Sequence, residues 1–342
     1  MNSLRFEQIT RRYSNLKVAI IGDFCLDRYL EIDPLREEIS IETGLAVHNV
    51  VNVRSQPGGA GTILNNLVAL GVGEIFPVGF CGDDGEGYEL QRALRAKAGV
   101  KMDFFRSTTE RKTFTYTKPL VLAPGKAPVE LNRLDQKNWS ITPESVQNLI
   151  IAAYLQLVQA ADAIILLDQV DLPETGVITK LLLQEIRKNQ ASTKPLILAD
   201  SRRSLKSFPA VCYKMNRSEL ARFIGIESEC SVSEVCQAAP TVAEATRQPV
   251  FITMAEQGIV GAAPGLASEH VPSLPLRGEI DVVGAGDSVT ANLVTALTSG
   301  ASVREAIELA IVASSIVIHQ LGTTGTATIS QIRELMAASA ML

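Results

Sequence analysis

Basic charge is in short supply: 32 Lys and Arg stand against 37 Asp and Glu, a formal net charge of −5 over 342 residues. A surface that grips nucleic-acid phosphates needs a concentrated basic field, and no run of Lys and Arg supplies one. Histidine is scarcer still, and the three (His48, His270, His319) stand too far apart to suggest a metal site. The five cysteines (Cys25, Cys81, Cys212, Cys230, Cys236) are scattered and form no Cys-x-x-Cys. That fits a reducing cytoplasm in which thiols serve as small apolar side chains. The most apolar stretch, 306–321, carries Glu308 and His319 and falls short of a membrane span. MNSLRFEQITRRYSNL at the N-terminus reads as an amphipathic first helix with no signal-peptide core. Together these absences predict a cytoplasmic protein with neither a nucleic-acid nor a membrane partner.

Aliphatic residues, by contrast, are plentiful. The chain is 46% hydrophobic but only 5% aromatic, which suits an aliphatic core of strands and helices. Buried-strand patterns occur at Lys17–Gly22 (KVAIIG), EIFPVGFCG, 163–168 (AIILLD), 195–200 (PLILAD) and near 249–254 (PVFITM). Between them run helical patterns at 59–70, 88–98, 143–160 and 174–189, and three more helices fill most of 287–338. Apolar strands alternating with amphipathic helices predict an α/β fold with a mostly parallel sheet covered on both faces.

Residues 29–56 and about 104–134 break that rhythm with alternating patterns such as RKTFTYTKPLVL. They predict a small antiparallel sheet outside the main one. Its buried face would carry Val47, Val50 and Val53 from one segment and Phe114, Tyr116 and Val121 from the other. A single domain spanning 1–342, with this sheet as an appendage, is the simplest account.

The most pointed stretch is GEIDVVGAGDSVTANLV at 278–294. Gly284 and Gly286 permit a tight turn, and from Asp287 onward apolar residues recur at helical spacing. Asp287 therefore opens a helix, where unpartnered N–H groups and the helix dipole can hold an anion. It is equally well placed as a plain N-cap. Other polar groups recur at successive strand ends: Asp23 and Asp27 in GDFCLD, Gly58 and Gly59 in PGGAG, Asp200 before Ser-Arg-Arg, and Asn216 with Glu219 in NRSE. Asn216 and Glu219 also have capping-box spacing. No GxxxxGK[ST] occurs, and no G-x-G-x-x-G follows the first strand, which argues against a dinucleotide-dependent oxidoreductase.

In their order, GDFCLD, PGGAG, VGFCGDDGEG, NRSE, ITMAEQG and DVVGAGD resemble the ribokinase-like (PfkB) carbohydrate kinases, from about residue 16 to 336. GDFCLDRY, PGGAG, LNRLD and LGTT look most like the D-glycero-β-D-manno-heptose 7-phosphate kinases. The resemblance implies a ribokinase-like fold with a β lid and an ATP- and Mg²⁺-dependent transfer of phosphate to a sugar or sugar phosphate. It leaves a monovalent-cation requirement open. By the same resemblance Asp287 is the base, with Gly284, Ala285 and Gly286 cradling the γ-phosphoryl. Asn216 and Glu219 order Mg²⁺ through water, and Asp27, Gly58 and Gly59 hold the sugar. Thr253, Gly258, Gly322 and Thr323 line the nucleotide. In relatives such lids often make a homodimer contact.

The chain departs from the heptose-kinase pattern at Thr62 (for Asn), Glu42–Ala46, Asp168–Leu172, Asp200–Arg202 and Ile311 (for Asn). A catalytically weak nucleotide- or sugar-binding relative acting as a sensor or partner protein is the alternative those departures raise. Arg202 and Arg111 are candidates to hold a phosphate on the acceptor, with solvated surface charge the competing reading for Arg111. Some heptose kinases carry a fused nucleotidyltransferase domain, for which 342 residues leave no room.

Overall fold

The alternation of side chains in KVAIIG sets up both layers of the molecule. In the computed structural model, which describes residues 1–125, 128–189, 195–226 and 230–339, this strand is β1 (Lys17–Gly22). Val18 and Ile20 pack into one hydrophobic cluster, Ala19 and Ile21 into a second on the opposite face. A strand buried on both sides reads as a continuous apolar run, as this one does.

Before β1 comes helix α1 (Ser3–Thr10), and after it strand β2 (Phe24–Ile32). A small hairpin, β3 (Glu38–Ile39) and β4 (Ala46–Val47), leads to β5 (Val50–Gly59) and helix α2 (Ala60–Ala69). Then follow β6 (Glu74–Gly82), α3 (Gly85–Arg95), β7 (Phe105–Thr108), β8 (Phe114–Val121), β9 (Val129–Glu130) and β10 (Leu134–Gln136). Helix α4 (Glu144–Ala160), β11 (Ala163–Asp168), α5 (Lys180–Lys188), β12 (Leu196–Ser201) and β13 (Cys212–Asn216) return to the α/β rhythm. The rest is α6 (Arg217–Ile224), α7 (Val232–Thr246), β14 (Val250–Thr253), β15 (Ile259–Ala262), β16 (Glu269–Val271), α8 (Ala285–Thr298), α9 (Val303–Val317) and α10 (Ile329–Ala338).

Nine strands form the main sheet in the order β16-β15-β14-β13-β12-β11-β1-β6-β7. It is parallel from β7 to β14, with β15 and β16 antiparallel at one edge. Helices α1, α2, α3, α8, α9 and α10 supply one core cluster; α4, α5, α6 and α7 supply the other. The parallel strands therefore end together, bringing Asp168, Asp200, Asn216 and Thr253 to one rim. Ligands in open α/β sheets collect at such rims.

A separate sheet, β10-β8-β2-β5 with β9 on β8, stands over that rim. The expected small sheet is there, with three differences. It begins at Phe24, so Asp27 lies within it. It is mixed, since β2 pairs antiparallel with β5 but parallel with β8. And β7, in the stretch expected to lie outside the main sheet, joins the main sheet beside β6. The expected buried face is also only half right. Phe114 is buried and Tyr116 half-buried, but Val47, Val50 and Val53 are 37%, 43% and 45% exposed. They lie on the hairpin and on β5, the edge strand, which no further strand covers among the described residues.

Helix α5 starts six residues later than the apolar spacing predicts, capped by Thr179. Glu174 holds a left-handed φ of 64°, and the preceding loop is tied down by Asp23 instead of coiling. The buried Asp23 carboxylate accepts from the N–H groups of Gln169 (2.8 Å), Val170 (3.2 Å) and Val177 (2.7 Å). Asp23 is thus a fastener for the 169–177 loop rather than a ligand.

Candidate active site

Helix α8 begins at a backbone turn that a side chain could not adopt cheaply. Gly284 is its N-cap with φ +83°, and an added Cβ would meet Thr324 Cγ2 at 2.8 Å. Asp281 Oδ1 closes the turn by accepting from the Val283 N–H at 3.0 Å. Of the amides singled out in the sequence, that of Ala285 is taken by the Val282 carbonyl (3.2 Å). Those of Gly284 and Gly286 make no hydrogen bond among the described residues and are free for an anion.

Two clefts meet at this turn, and Asn216, Val282 and Gly286 line both. One, of about 930 Å³, is walled by apolar side chains such as Leu274, Leu276, Val289 and Ile311, and includes Thr253, Gly258 and Ala285. The other, of about 420 Å³, is polar. It gathers Asp27, Gly59, Arg202, Glu219, Gly284 and Asp287 from six separate elements or loops. Gly58 belongs to the same arrangement from behind: a Cβ there would lie 2.5 Å from Asp27 Oδ2, so the Asp27 carboxylate rests on the missing side chain.

Three residues are not where the sequence suggested. Arg111 is buried away from both clefts, donating to the carbonyls of Ser140 (3.0 Å), Ile141 (3.3 Å) and Thr175 (2.6 Å). Its charge is spent on loop carbonyls, so it is a structural cation. Gly322 and Thr323 do not line the apolar cleft; Thr323 Oγ1 faces Gln56 Oε1 of the lid (3.5 Å), and their neighbour Thr324 lines the polar one.

Other residues were missed. Lys214 on β13 is buried and donates to Asp200 Oδ2 at 2.7 Å. Its Nζ lies 3.2 Å from where a Cβ on Gly286 would sit, against the turn at the start of α8. A signal existed: a lysine in an otherwise apolar strand is seldom buried unpaired, and its offset of two puts it on the same face as Asn216. Lys118, Arg133 and Lys137 of the lid also line the polar cleft. Arg133 is bound bidentately by Asp135 (2.7 and 2.8 Å), and Lys137 pairs with Asp171 (3.1 Å). Lys118 sits over the Tyr29 ring, and Arg202 makes no side-chain hydrogen bond or ion pair among the described residues. Lys118 and Arg202 therefore face the cleft with no carboxylate partner.

The electrostatics follow from this crowding. Burial pushes the Asp287 carboxyl up to about 7; Lys214 and Arg202 pull against that, while Asp200 and Asp27 add to it. Burial likewise raises Asp27, with Lys118, Arg133 and Arg202 opposing. A carboxylate tuned near neutrality is suited to take a proton.

The donor set fits Mg²⁺ held with phosphates and not a closed protein cage. Among the described residues no cluster of three or more His, Cys, Asp or Glu could hold a metal. Asn216 and Glu219 form a reciprocal capping box, Asn216 Oδ1 accepting from Glu219 N (2.8 Å) and Glu219 Oε2 from Asn216 N (2.7 Å). That fixes the Glu219 carboxylate at the cleft with Oε1 to spare, as Mg²⁺ coordination through one carboxylate and water requires.

No helix among the described residues is long and apolar enough to cross a membrane. The fold is that of ribokinase from Arabidopsis thaliana, solved with ribose and ATP (TM-score 0.66, 19% identity, covering 94% of this chain and 98% of that one). Phosphofructokinase-2 from Escherichia coli is similarly close (TM-score 0.72, 17% identity, 95% and 99%). In sequence, the chain is 30% identical over 325 residues to the bifunctional protein HldE of Desulfatibacillum aliphaticivorans, covering 93% of this chain and 62% of that one. The HldE of Caulobacter vibrioides is 29% identical over 322 residues, at 92% and 62%. The chain thus spans less than two thirds of these relatives' length. The profile of the pfkB family carbohydrate kinases matches residues 15–329, and the chain belongs to that family.

Proposed function

We propose that this sugar kinase moves the γ-phosphoryl of ATP to a hydroxyl of a sugar that already carries a phosphate, a heptose 7-phosphate at O1 being the leading acceptor. One observation carries the reading: the polar cleft sets two carboxylates, Asp27 and Asp287, against two cations, Lys118 and Arg202, that lack a carboxylate partner. The carboxylates suit hydroxyls; the unspent cations suit a dianion. The HldE relatives and the heptose-kinase motifs point the same way.

In this reading the nucleotide lies in the apolar cleft, by Thr253 and Gly258, with its phosphates crossing the Gly286 turn. Asp27 holds and orients the acceptor. Asp287 takes the proton of the attacking hydroxyl as its oxygen bonds to the γ-phosphorus and the bond to the β-bridging oxygen breaks, leaving ADP. The Gly284 and Gly286 N–H groups and Lys214 stabilise charge on the transferring group. Mg²⁺, when held by Asn216 and Glu219 through water, would draw negative charge off the phosphates. The lid sheet excludes water that would otherwise compete as acceptor.

Arg202→Ala tests the acceptor side. In a panel of free sugars, nucleosides and sugar phosphates assayed for ADP release, the wild type should prefer phosphorylated sugars. The variant should then raise KM for the phosphorylated acceptor by ~10-fold or more, the scale of a charge-assisted contact, with KM for ATP little changed. A preference for unphosphorylated sugars, or equal effects on both substrates, would sink this reading.

A homodimer through the lid is the further part of the proposal. Ile39 and Leu45 on the hairpin and Val50 and Val53 on the edge strand β5 are exposed, apolar surface that a second copy could cover. Sedimentation should give a dimer at micromolar concentration and a monomer for Val50→Lys/Val53→Lys. A monomeric wild type removes the dimer.

A further inference from the structure

The lid strand that carries Asp27 is tied to the anion-holding turn through one side chain, Gln56. In the β2–β5 ladder Asp27 and Gln56 are direct partners, so their side chains project from the same face of the sheet. The Gln56 amide is used at both ends. Its Nε2 donates to Thr324 Oγ1, and its Oε1 accepts from Thr323 Oγ1 at 3.5 Å. Thr324 is itself buried, lines the polar cleft, and presses its methyl on Gly284, 2.8 Å from where a Cβ would lie. A continuous path therefore runs from Asp27 across one backbone pair to Gln56, to Thr324, and to the turn at the start of α8.

We infer that Gln56 is a positioning residue, a strut that fixes the distance between the acceptor held by Asp27 and the phosphoryl held at Gly284–Gly286; this rests on the kinase reading above. Gln56 touches neither reacting group, so it acts only through the two walls that it joins. An in-line transfer is sensitive to that spacing, since a displacement of about 1 Å can cost ~10²-fold in rate. When the hydroxyl is held out of line, water is the remaining acceptor for the γ-phosphoryl, giving ADP and inorganic phosphate in place of phosphorylated sugar. The strut thus governs both the rate of transfer and the fraction of ATP used productively.

Gln56→Ala and Thr324→Val each break the contact, the second without changing shape. Asn52→Ala removes a different side-chain bond in the same sheet, Asn52 Nδ2 to Glu31 Oε2 at 3.0 Å, and serves as the control. Two rates are read: phosphorylation of heptose 7-phosphate, and ADP release from Mg·ATP with no sugar present. Both strut variants should lower kcat for transfer ~10–100-fold while KM for ATP stays within about twofold. ADP formed per sugar phosphorylated should rise above one, and the double variant should be no worse than the worse single. Rates that track Asn52→Ala, or additive losses shared with KM for ATP, would overturn the strut. Should the wild type not phosphorylate heptose 7-phosphate, the acceptor reading fails, yet the sugar-free arm still decides. Faster ADP release in both strut variants than in wild type and control, as water enters past a lid no longer tied to the turn, supports the strut, and equal rates overturn it.

Discussion

Asp287→Asn should fold as the wild type does and lose ~10²–10⁴ of kcat, the usual cost of removing a general base. The amide fills the same space in the first turn of α8, whose N-cap is Gly284 and which has no side-chain cap hydrogen bond to lose, so helix and cleft should survive. What it cannot do is accept the hydroxyl proton. A second signature accompanies the loss. With its carboxyl pushed up to about 7 by burial, Asp287 is protonated at acid pH and so is inactive as a base there. Wild-type kcat/KM should therefore fall as pH drops through about 7 and level off above it. The residual rate of Asp287→Asn should not show that limb. Near-normal turnover in the folded variant would remove Asp287 as the base.

Lys214→Ala should be the most destabilising single change at this site. Lys214 and Asp200 are 8% and 10% exposed and pair at 2.7 Å, so truncating the lysine leaves the carboxylate, among the described residues, a side-chain bond from Thr290 Oγ1 (3.2 Å) alone. Removing one partner of a buried pair costs about 3–5 kcal/mol, mostly the penalty of the charge left behind. Burial works against the charged Lys214, but Asp200, Glu219 and Asp287 outweigh it and raise its proton affinity, so Lys214 is charged at neutral pH. Urea unfolding should show a lower midpoint with an unchanged slope. Asp200→Asn added to Lys214→Ala should recover much of the loss, because neither charge of the pair then remains. A Lys214→Ala protein as stable as the wild type, or a double variant less stable than the single, would contradict the account.

Much of this was legible in the sequence because strand ends in a parallel sheet are legible. KVAIIG, AIILLD and PLILAD have the apolar run of strands buried on both faces, and such strands end at one rim, where Asp168 and Asp200 lie. Asp287 stands out by the glycine turn before its helix, and its role, like those of Asp27, Asn216 and Glu219, comes only from the family resemblance. Sequence could not say which lid cation faces inward. Arg111 lies just before β8 and turns to loop carbonyls, whereas Lys118 shares a face with Phe114 and Tyr116 by alternation. Nor could it separate an apolar strand face that is covered from one left open, as Val50 and Val53 are at the edge of the lid. Lys214 was readable but not read: its oddity was a charge within a buried run. The Gln56 strut joins residues 268 apart in the chain, and no local pattern announces such a contact.

The most direct measurement follows the phosphoryl group itself. ATP labelled in its γ-phosphate is incubated with Mg²⁺, heptose 7-phosphate and either the wild-type protein or Asp287→Asn. The wild type should place label in a heptose bisphosphate with one ADP formed per sugar, and the variant should do so at most slowly. Label that stays in ATP, or passes only to inorganic phosphate with every sugar phosphate offered, would contradict this reading.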